Sequence, residues 1–317
     1  MKRYLVTGGA GFIGSHLTEA LLQAGHAVRV LDDLSTGKRT NLPPHTDLII
    51  GDIADRATMA NAVRGIDGCF HLAAIASVER GAQDWLGTHR TNLTGAITLF
   101  DALGALPGPA RPPVVYASSA AVYGSTAAPP VAETAACEPL SAYGADKYGC
   151  ELHARIATHV HDVATTGLRF FNVYGPRQDP KSPYSGAISI FCDRIARGMP
   201  FTIFGDGDQT RDFIYVSDVV MALQSAMANL MSNAPNPTAN VFNICTGRPS
   251  TIRDVATTIA ELCGNPAELV LEAPRAGEIR HSHGAPALAR SKLGFTAKTS
   301  LPDGLRNVLA WLQTETA

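Results

Sequence analysis

Three glycines at one-turn spacing constrain this chain more than any other feature. The apolar run Arg3–Thr7 passes directly into Gly8-Gly9-Ala10-Gly11-Phe12-Ile13-Gly14, and a helical pattern begins at once. A strand that turns this sharply into a helix needs residues without Cβ, both for positive φ and to let backbone N–H groups approach a ligand. The helix that follows brings the positive end of its dipole to the same spot, a ready site for a pyrophosphate. A glycine trio alone is weak evidence, because any tight strand-to-helix turn uses such residues. The context makes it specific: a strand before, a helix after, and Asp32 closing the second strand, about 20 residues on. A carboxylate there hydrogen-bonds ribose hydroxyls and repels a 2′-phosphate, so NAD is favoured over NADP. Asp33 beside it adds to that preference.

Strand-length apolar runs recur at Ala27–Leu31, Asp47–Ile50, Gly68–Leu72, Pro113–Ala117 and Thr166–Phe171, several of them apolar on both faces. Two-sided apolarity is what a buried parallel strand requires. Between them lie amphipathic segments such as Ile13–Ala24, where Ile13, Leu17 and Leu21 repeat and Gly25 supplies the stop. This rhythm predicts an α/β chain, a doubly wound parallel sheet of Rossmann type with helices on both faces. After about residue 172 the pattern is loop-rich, and the strand-like Val241–Cys245 suggests a return to the sheet. The expected division is a dinucleotide domain over 1–172, rejoined by 213–246, and a smaller C-terminal α/β substrate lobe over 173–212 and 247–317.

Composition bounds the class of function. With 26 Lys+Arg against 28 Asp+Glu the chain lacks the basic excess of a nucleic-acid or membrane-surface protein. Hydrophobic residues at 45% against 17% charged can fill a large core. No run approaches the roughly 20 apolar residues of a membrane span. The apolar stretch Tyr4–Val6 behind Met1-Lys2-Arg3 is too short for a secretory signal, so a cytoplasmic first strand is expected. Cys69, Cys137, Cys150, Cys192, Cys245 and Cys263 show no Cys-x-x-Cys and read as buried small hydrophobes. His159, His161, His281 and His283 have no third ligand at useful spacing, so no metal is expected.

Tyr143-Gly-Ala-Asp-Lys147 places a phenol and an ammonium four residues apart, on one face of a helix. A tyrosine with an ordinary pKa near 10 is a poor base at neutral pH. A fixed cation close by favours the phenolate, which can then take a hydroxyl proton. Ser118-Ser119, at the end of the fifth strand, offers a second hydroxyl to hold a substrate oxygen. Asp52-Ile53 follows the third strand, where the carboxylate can meet an adenine amino group or cap the next helix. Ala73, Ala74 and Ala76 leave room for a cofactor, or simply pack.

On these motifs the chain resembles the extended short-chain dehydrogenase/reductases of the NAD-dependent nucleotide-sugar epimerase/dehydratase family. The resemblance covers essentially the whole chain. It is carried by Thr7–Gly14, His71-Leu72-Ala73-Ala74, Ser118-Ser119, Tyr143-x-x-x-Lys147, Arg169-Phe170-Phe171-Asn172-Val173-Tyr174-Gly175-Pro176 and Gly205-Asp206-Gly207-x-x-Thr210-Arg211-Asp212-Phe213. Within the family it is most similar to the UDP-hexose 4-epimerases. The resemblance implies that Tyr143 takes the proton from the sugar 4-hydroxyl, Ser119 holds O4, and Lys147 binds the nicotinamide ribose. Hydride leaves C4 for NAD and returns to the other face of a transient 4-keto sugar. It places Gly8, Gly11, Phe12, Ile13, Gly14, Asp32, Asp33, Asp52, Ile53, Leu72, Ala73, Ala74, Asn92 and Phe170 on the cofactor. Arg211 and Arg275 are implied at the diphosphate, where guanidinium forks suit phosphate oxygens. Asn172, Ala187, Ile188 and Phe204 are implied around the sugar nucleotide, and Glu278 at the uridine ribose in place of the family's usual Asp.

Two departures narrow the implied chemistry. Sugar-nucleotide dehydratases and decarboxylases carry acids directly after the residue matching Ser119, where this chain has Ala120 and Ala121. Ser282 stands where a bulky tyrosine restricts some epimerases, so UDP-GlcNAc/GalNAc is expected to be accepted beside UDP-Glc/Gal. The alternatives are UDP-glucuronate 4-epimerisation, another dehydratase or reductase reaction, or a non-catalytic NAD-sensing protein, which would have lost Tyr143 or Lys147. The resemblance also implies a homodimer, with helices Asp84–Leu103 and Tyr143–Val160 at its interface.

Overall fold

The computed structural model describes residues 1–108, 111–125, 128–180, 186–232, 239–265, 268–274 and 279–315. The strands, in chain order, are β1 Arg3–Thr7, β2 Ala27–Asp32, β3 Asp47–Ile50, β4 Gly68–His71, β5 Val114–Ser119, β6 Thr165–Phe170 and β7 Asn172–Tyr174. They continue as β8 Phe201–Phe204, β9 Thr210–Tyr215, β10 Ala239–Ile244, β11 Pro249–Thr251, β12 Leu269–Glu272 and β13 His281–Ser282. Seven of them form one sheet in the order β10-β6-β5-β4-β1-β2-β3, every pairing parallel. The chain moves outward from β1 to β3 and then returns to the other side of β1 with β4. In such a sheet a crevice opens at that reversal, outside the carboxyl ends of β1 and β4, and ligands bind there.

Strand alternation explains the two-sided apolarity. Val6, Val30, Phe70 and Val115 face helices Phe12–Gln23 and Val216–Ser232. Their neighbours Leu5, Leu31, Cys69 and Val114 face helices Arg56–Ala62, Gly95–Gly104 and Ala142–His161. One residue of phase therefore feeds two separate cores. A third core gathers residues of helices Ala187–Ala196, Ile252–Cys263 and Leu301–Glu315 around β8 and β9. There β9 pairs with β7 and β13 in parallel and with β11 antiparallel.

The expected helix Asp84–Leu103 is present, running from Trp85 to Gly104 with Asp84 as its N-cap. Asp84 leaves helical geometry and its carboxylate accepts from Gly87 N at 3.0 Å, starting a new helix at Trp85. Arg90–Thr94 then widens into a π turn before Gly95–Gly104. Among the cysteines, Cys69, Cys150, Cys192 and Cys245 are buried as expected, but Cys137 and Cys263 are only half-buried. Among the described residues, no helix is long and apolar enough to cross a membrane.

Candidate active site

The glycine turn is built to the limit of close approach. Gly8 has φ +68°, and a Cβ there would lie 2.6 Å from Ala73 N. A Cβ on Gly14 would overlap the Gly8 carbonyl oxygen. At Gly11 a Cβ would meet only that oxygen, at 3.3 Å, so the space above Gly11 is open. Gly11 is the N-cap of helix Phe12–Gln23, which has no side-chain cap, so the leading N–H groups of Phe12 and Ile13 are left for an anion. At the end of β2, Asp32 accepts from Ala10 N and Leu34 N, one bond to each oxygen, at 2.9 Å. Burial pushes its pKa up, and each oxygen keeps acceptor capacity for a ribose hydroxyl. An uncapped glycine cradle beside a carboxylate fits NAD.

The other expected cofactor residues differ in how they face this crevice. Asp33 is exposed and accepts from Ser35 N and Oγ at 2.9 and 2.6 Å. Asp52 accepts from Ala54 N at 2.8 Å and pairs with Arg90 at 2.7 Å, while Asp55, not Asp52, caps the next helix. The side chain of Ile53 is buried against Gly95, so a ligand can meet only its backbone. Leu72, Ala73 and Ala74 follow β4 against the glycine turn. Buried Asn92 brackets Ile75, accepting from its N at 2.8 Å and donating to its O at 3.1 Å. Asn92 therefore shapes the cofactor-side loop instead of pointing a polar group into the crevice. Phe170 is buried at the end of β6.

Helix Ala142–His161 starts at Ser141, whose Oγ accepts from Gly144 N at 3.1 Å. Tyr143 lies half-buried in its first turn. The buried Lys147 donates to Ala117 O at 2.9 Å, and its Nζ stands 5.9 Å from the centre of the Tyr143 ring. Ser119 is half-buried at the end of β5 and its Oγ accepts from Ala121 N at 3.1 Å. Gly144 allows the helix to touch the turn after Ser119, because a Cβ there would lie 2.6 Å from Ala121 O. The importance of Gly144 escaped sequence reasoning, although it sits inside the Tyr-x-x-x-Lys motif. His71 also escaped it: its Nδ1 lies 2.8 Å from Thr7 Oγ1, and burial, then Lys147, lowers its pKa to about 3. It is a neutral imidazole behind the lysine.

Ser118 is corrected. It is fully buried and donates to Glu151 Oε1 at 2.5 Å, on the opposite side of the strand from Ser119. Period-two alternation permits only one of two adjacent hydroxyls to face the crevice.

A cavity of about 180 Å3 beside β7 and β9 is lined by Asn172, Gln178, Ala187, Ile188, Arg211 and Phe213, among others. It brings together four expected substrate residues from β7, β9 and the start of helix Ala187–Ala196, which again has no side-chain cap. Ile188 is almost wholly buried there. Ser282 is the register partner of Arg211 in the β13–β9 pair but does not itself line the cavity. Phe204 ends β8 opposite Glu272 and does not line this cavity. Arg275 and Glu278 lie outside the described residues.

Comparison with known proteins agrees with this arrangement. A profile of the NAD dependent epimerase/dehydratase family matches residues 4–245. The UDP-glucose 4-epimerase of Mycolicibacterium smegmatis is 35% identical over 319 residues, covering 99% of both chains. The crystal structure of the Thermotoga maritima UDP-glucose 4-epimerase with UDP-glucose superposes with a TM-score of 0.92 at 34% identity, over 99% of this chain and 100% of that one. The UDP-N-acetylglucosamine 4-epimerase of Methanobrevibacter ruminantium, in complex with UDP-N-acetylmuramic acid, gives 0.91 at 32% identity over 99% of each chain.

Proposed function

Because this chain belongs to the NAD-dependent epimerase/dehydratase family, we propose that it epimerises UDP-hexoses at C4, interconverting UDP-Glc with UDP-Gal and UDP-GlcNAc with UDP-GalNAc. The observation that carries this reading is the Tyr143–Lys147 pair anchored at Ala117 O, two residues before Ser119 on β5, with Ala120 and Ala121 following in place of acids. Elimination of water needs a proton donor, and alanines there supply none.

NAD supplies reversible hydride exchange at C4, so it is regenerated in each cycle. The chain does the rest. Tyr143 takes the proton of the 4-hydroxyl and later returns one. Lys147, anchored by Ala117 O, holds positive charge beside the phenol as it becomes negative, an electrostatic gain in a partly dry site. Ser119 donates to O4 and fixes it for the transfer. The 4-keto sugar must turn over between half-reactions, so a fixed handle elsewhere is required. Arg211, lining the cavity beside β7 and β9 with Asn172 as a further substrate contact, holds the nucleotide diphosphate together with Arg275, and Glu278 takes the uridine ribose. Ser282 leaves space for a 2-acetamido group.

On this reading 1–172 with 213–246 forms the cofactor lobe, and 173–212 with 247–317 the sugar-nucleotide lobe. Leu152, Ile156 and Val160 form an exposed apolar stripe along helix Ala142–His161, 43%, 49% and 67% accessible. We assign that stripe, with the exposed Leu86 and Ile97, to a homodimer interface. All six cysteines are free, which suits a reducing compartment and a cytoplasmic enzyme. Product analysis by NMR on UDP-Glc, UDP-GlcNAc and UDP-glucuronate in parallel, without added NAD, tests the proposal. Interconversion of the first two supports it. Turnover of the glucuronate alone replaces it with the glucuronate epimerase reading.

A further inference from the structure

A buried ion pair ties the catalytic helix to β6, and the mechanism does not use it. Glu151 lies one turn beyond Lys147 on the same helix, and Arg169 lies on β6; they are 4% and 5% exposed. Arg169 donates to both carboxylate oxygens, Nε to Oε1 at 2.8 Å and Nη2 to Oε2 at 2.6 Å. Ser118 adds a third donation to Oε1. Ser118 and Arg169 are direct cross-strand partners in the β5–β6 ladder, so two adjacent strands grip one carboxylate.

The same helix is gripped one turn earlier, where Lys147 donates to Ala117 O. Two consecutive residues of β5, Ala117 and Ser118, thus bond two consecutive turns of the helix, and the next residue of the strand is Ser119. Burying two charges is costly, and well-packed apolar residues often replace such pairs without loss. What a forked, two-bond guanidinium–carboxylate pair adds is a single allowed geometry.

We propose that Glu151, held by Ser118 and Arg169, is a positioning residue that sets the axial and rotational placement of the Tyr143–Lys147 helix against Ser119. This rests on the 4-epimerase reading of the site. A displacement of about 1 Å between groups that share a proton costs up to about a hundredfold in rate. The nucleotide handle is carried by β7 and β9, so substrate affinity is untouched.

The test uses the NAD-loaded enzyme, with rates expressed per bound NAD. Ser118→Ala removes one donor and leaves the ion pair; Glu151→Asp keeps the charge but shortens its reach. The expected result is a fall in kcat of about tenfold for the first and about a hundredfold for the second, with KM for the UDP-sugar unchanged. With UDP-sugar deuterated at C4, the isotope effect on kcat rises in both, because the chemical step becomes limiting. Wild-type kcat per bound NAD in both variants overturns the positioning role, as does activity lost only in proportion to NAD and circular-dichroism signal. A wild-type enzyme that interconverts no UDP-hexose overturns the functional reading itself, which separates the two failures.

Discussion

The three glycines of the first turn are not equivalent, and the difference yields a graded prediction. Gly14→Ala puts a methyl 2.8 Å from Gly9 Cα and closer still to the Gly8 carbonyl oxygen, where ordinary contact begins near 3.4 Å. Backbone cannot rotate out of the way, so the overlap costs about 1–3 kcal/mol, offset by about 0.5–1 kcal/mol from replacing glycine within a helix. Stability of the cofactor-free protein should fall by about 1–2 kcal/mol, a Tm loss of about 2–4 °C for a chain of this size. Gly11→Ala meets one protein oxygen at 3.3 Å and little else. It should cost only about 0.5 kcal/mol as a weaker N-cap. Its methyl instead enters the open space kept for the dinucleotide, and NAD affinity should fall at least about tenfold, about 1.4 kcal/mol. Thermal denaturation across an NAD titration separates the two, because the ligand-induced rise in Tm reports affinity. If Gly11→Ala gains as much from NAD as the wild type, or Gly14→Ala matches it without cofactor, the close-approach reasoning is wrong.

Other outcomes follow from single side chains. His71, with a folded pKa near 3 against about 6.5 unfolded, takes a proton first in the unfolded chain, so its contribution is lost as pH falls below 6.5. That loss is about 2 kcal/mol at pH 5; urea unfolding should show His71→Asn losing correspondingly less between pH 7 and 5, and parallel curves would refute it. Arg211→Ala should raise KM for UDP-sugars by about a hundredfold with kcat within a few-fold, since a guanidinium–phosphate pair is a charged hydrogen bond worth about 1.5–3 kcal/mol. A large fall in kcat at constant KM would place Arg211 in the chemistry instead. Ser282→Tyr, beside Arg211 in the ladder, should lower activity on the UDP-GlcNAc/GalNAc pair relative to UDP-Glc/Gal; an unchanged ratio removes Ser282 as gatekeeper.

What the sequence made legible was local. The glycine turn, Asp32 and the Tyr143–Lys147 spacing each lie within one or two elements, where strand alternation and helical periodicity decide geometry. Which of Ser118 and Ser119 faces the crevice was not legible, because strand phase is settled by the β5–β6 register and the helix packed on it. The π turn at Arg90–Thr94 was hidden for a different reason: nothing in the spacing of apolar residues along Asp84–Leu103 marks it. Asp52 read as a helix cap or an adenine contact; Asp55 takes the cap, and the pairing of Asp52 with Arg90 was not legible. The Glu151–Arg169 pair and the Arg211–Ser282 neighbourhood join separate elements, and no spacing rule connects them. Long-range partners of buried charge were thus the main thing periodicity could not supply.

The central claim is that the Tyr143 phenol moves the proton of the sugar 4-hydroxyl. Tyr143→Phe removes that oxygen and leaves the ring, the helix and the Lys147–Ala117 bond in place. Measured on enzyme with wild-type NAD content and UDP-sugar affinity, kcat should fall by about a hundredfold to ten-thousandfold, the range of a general acid–base group. Turnover within twofold of the wild type would contradict the account.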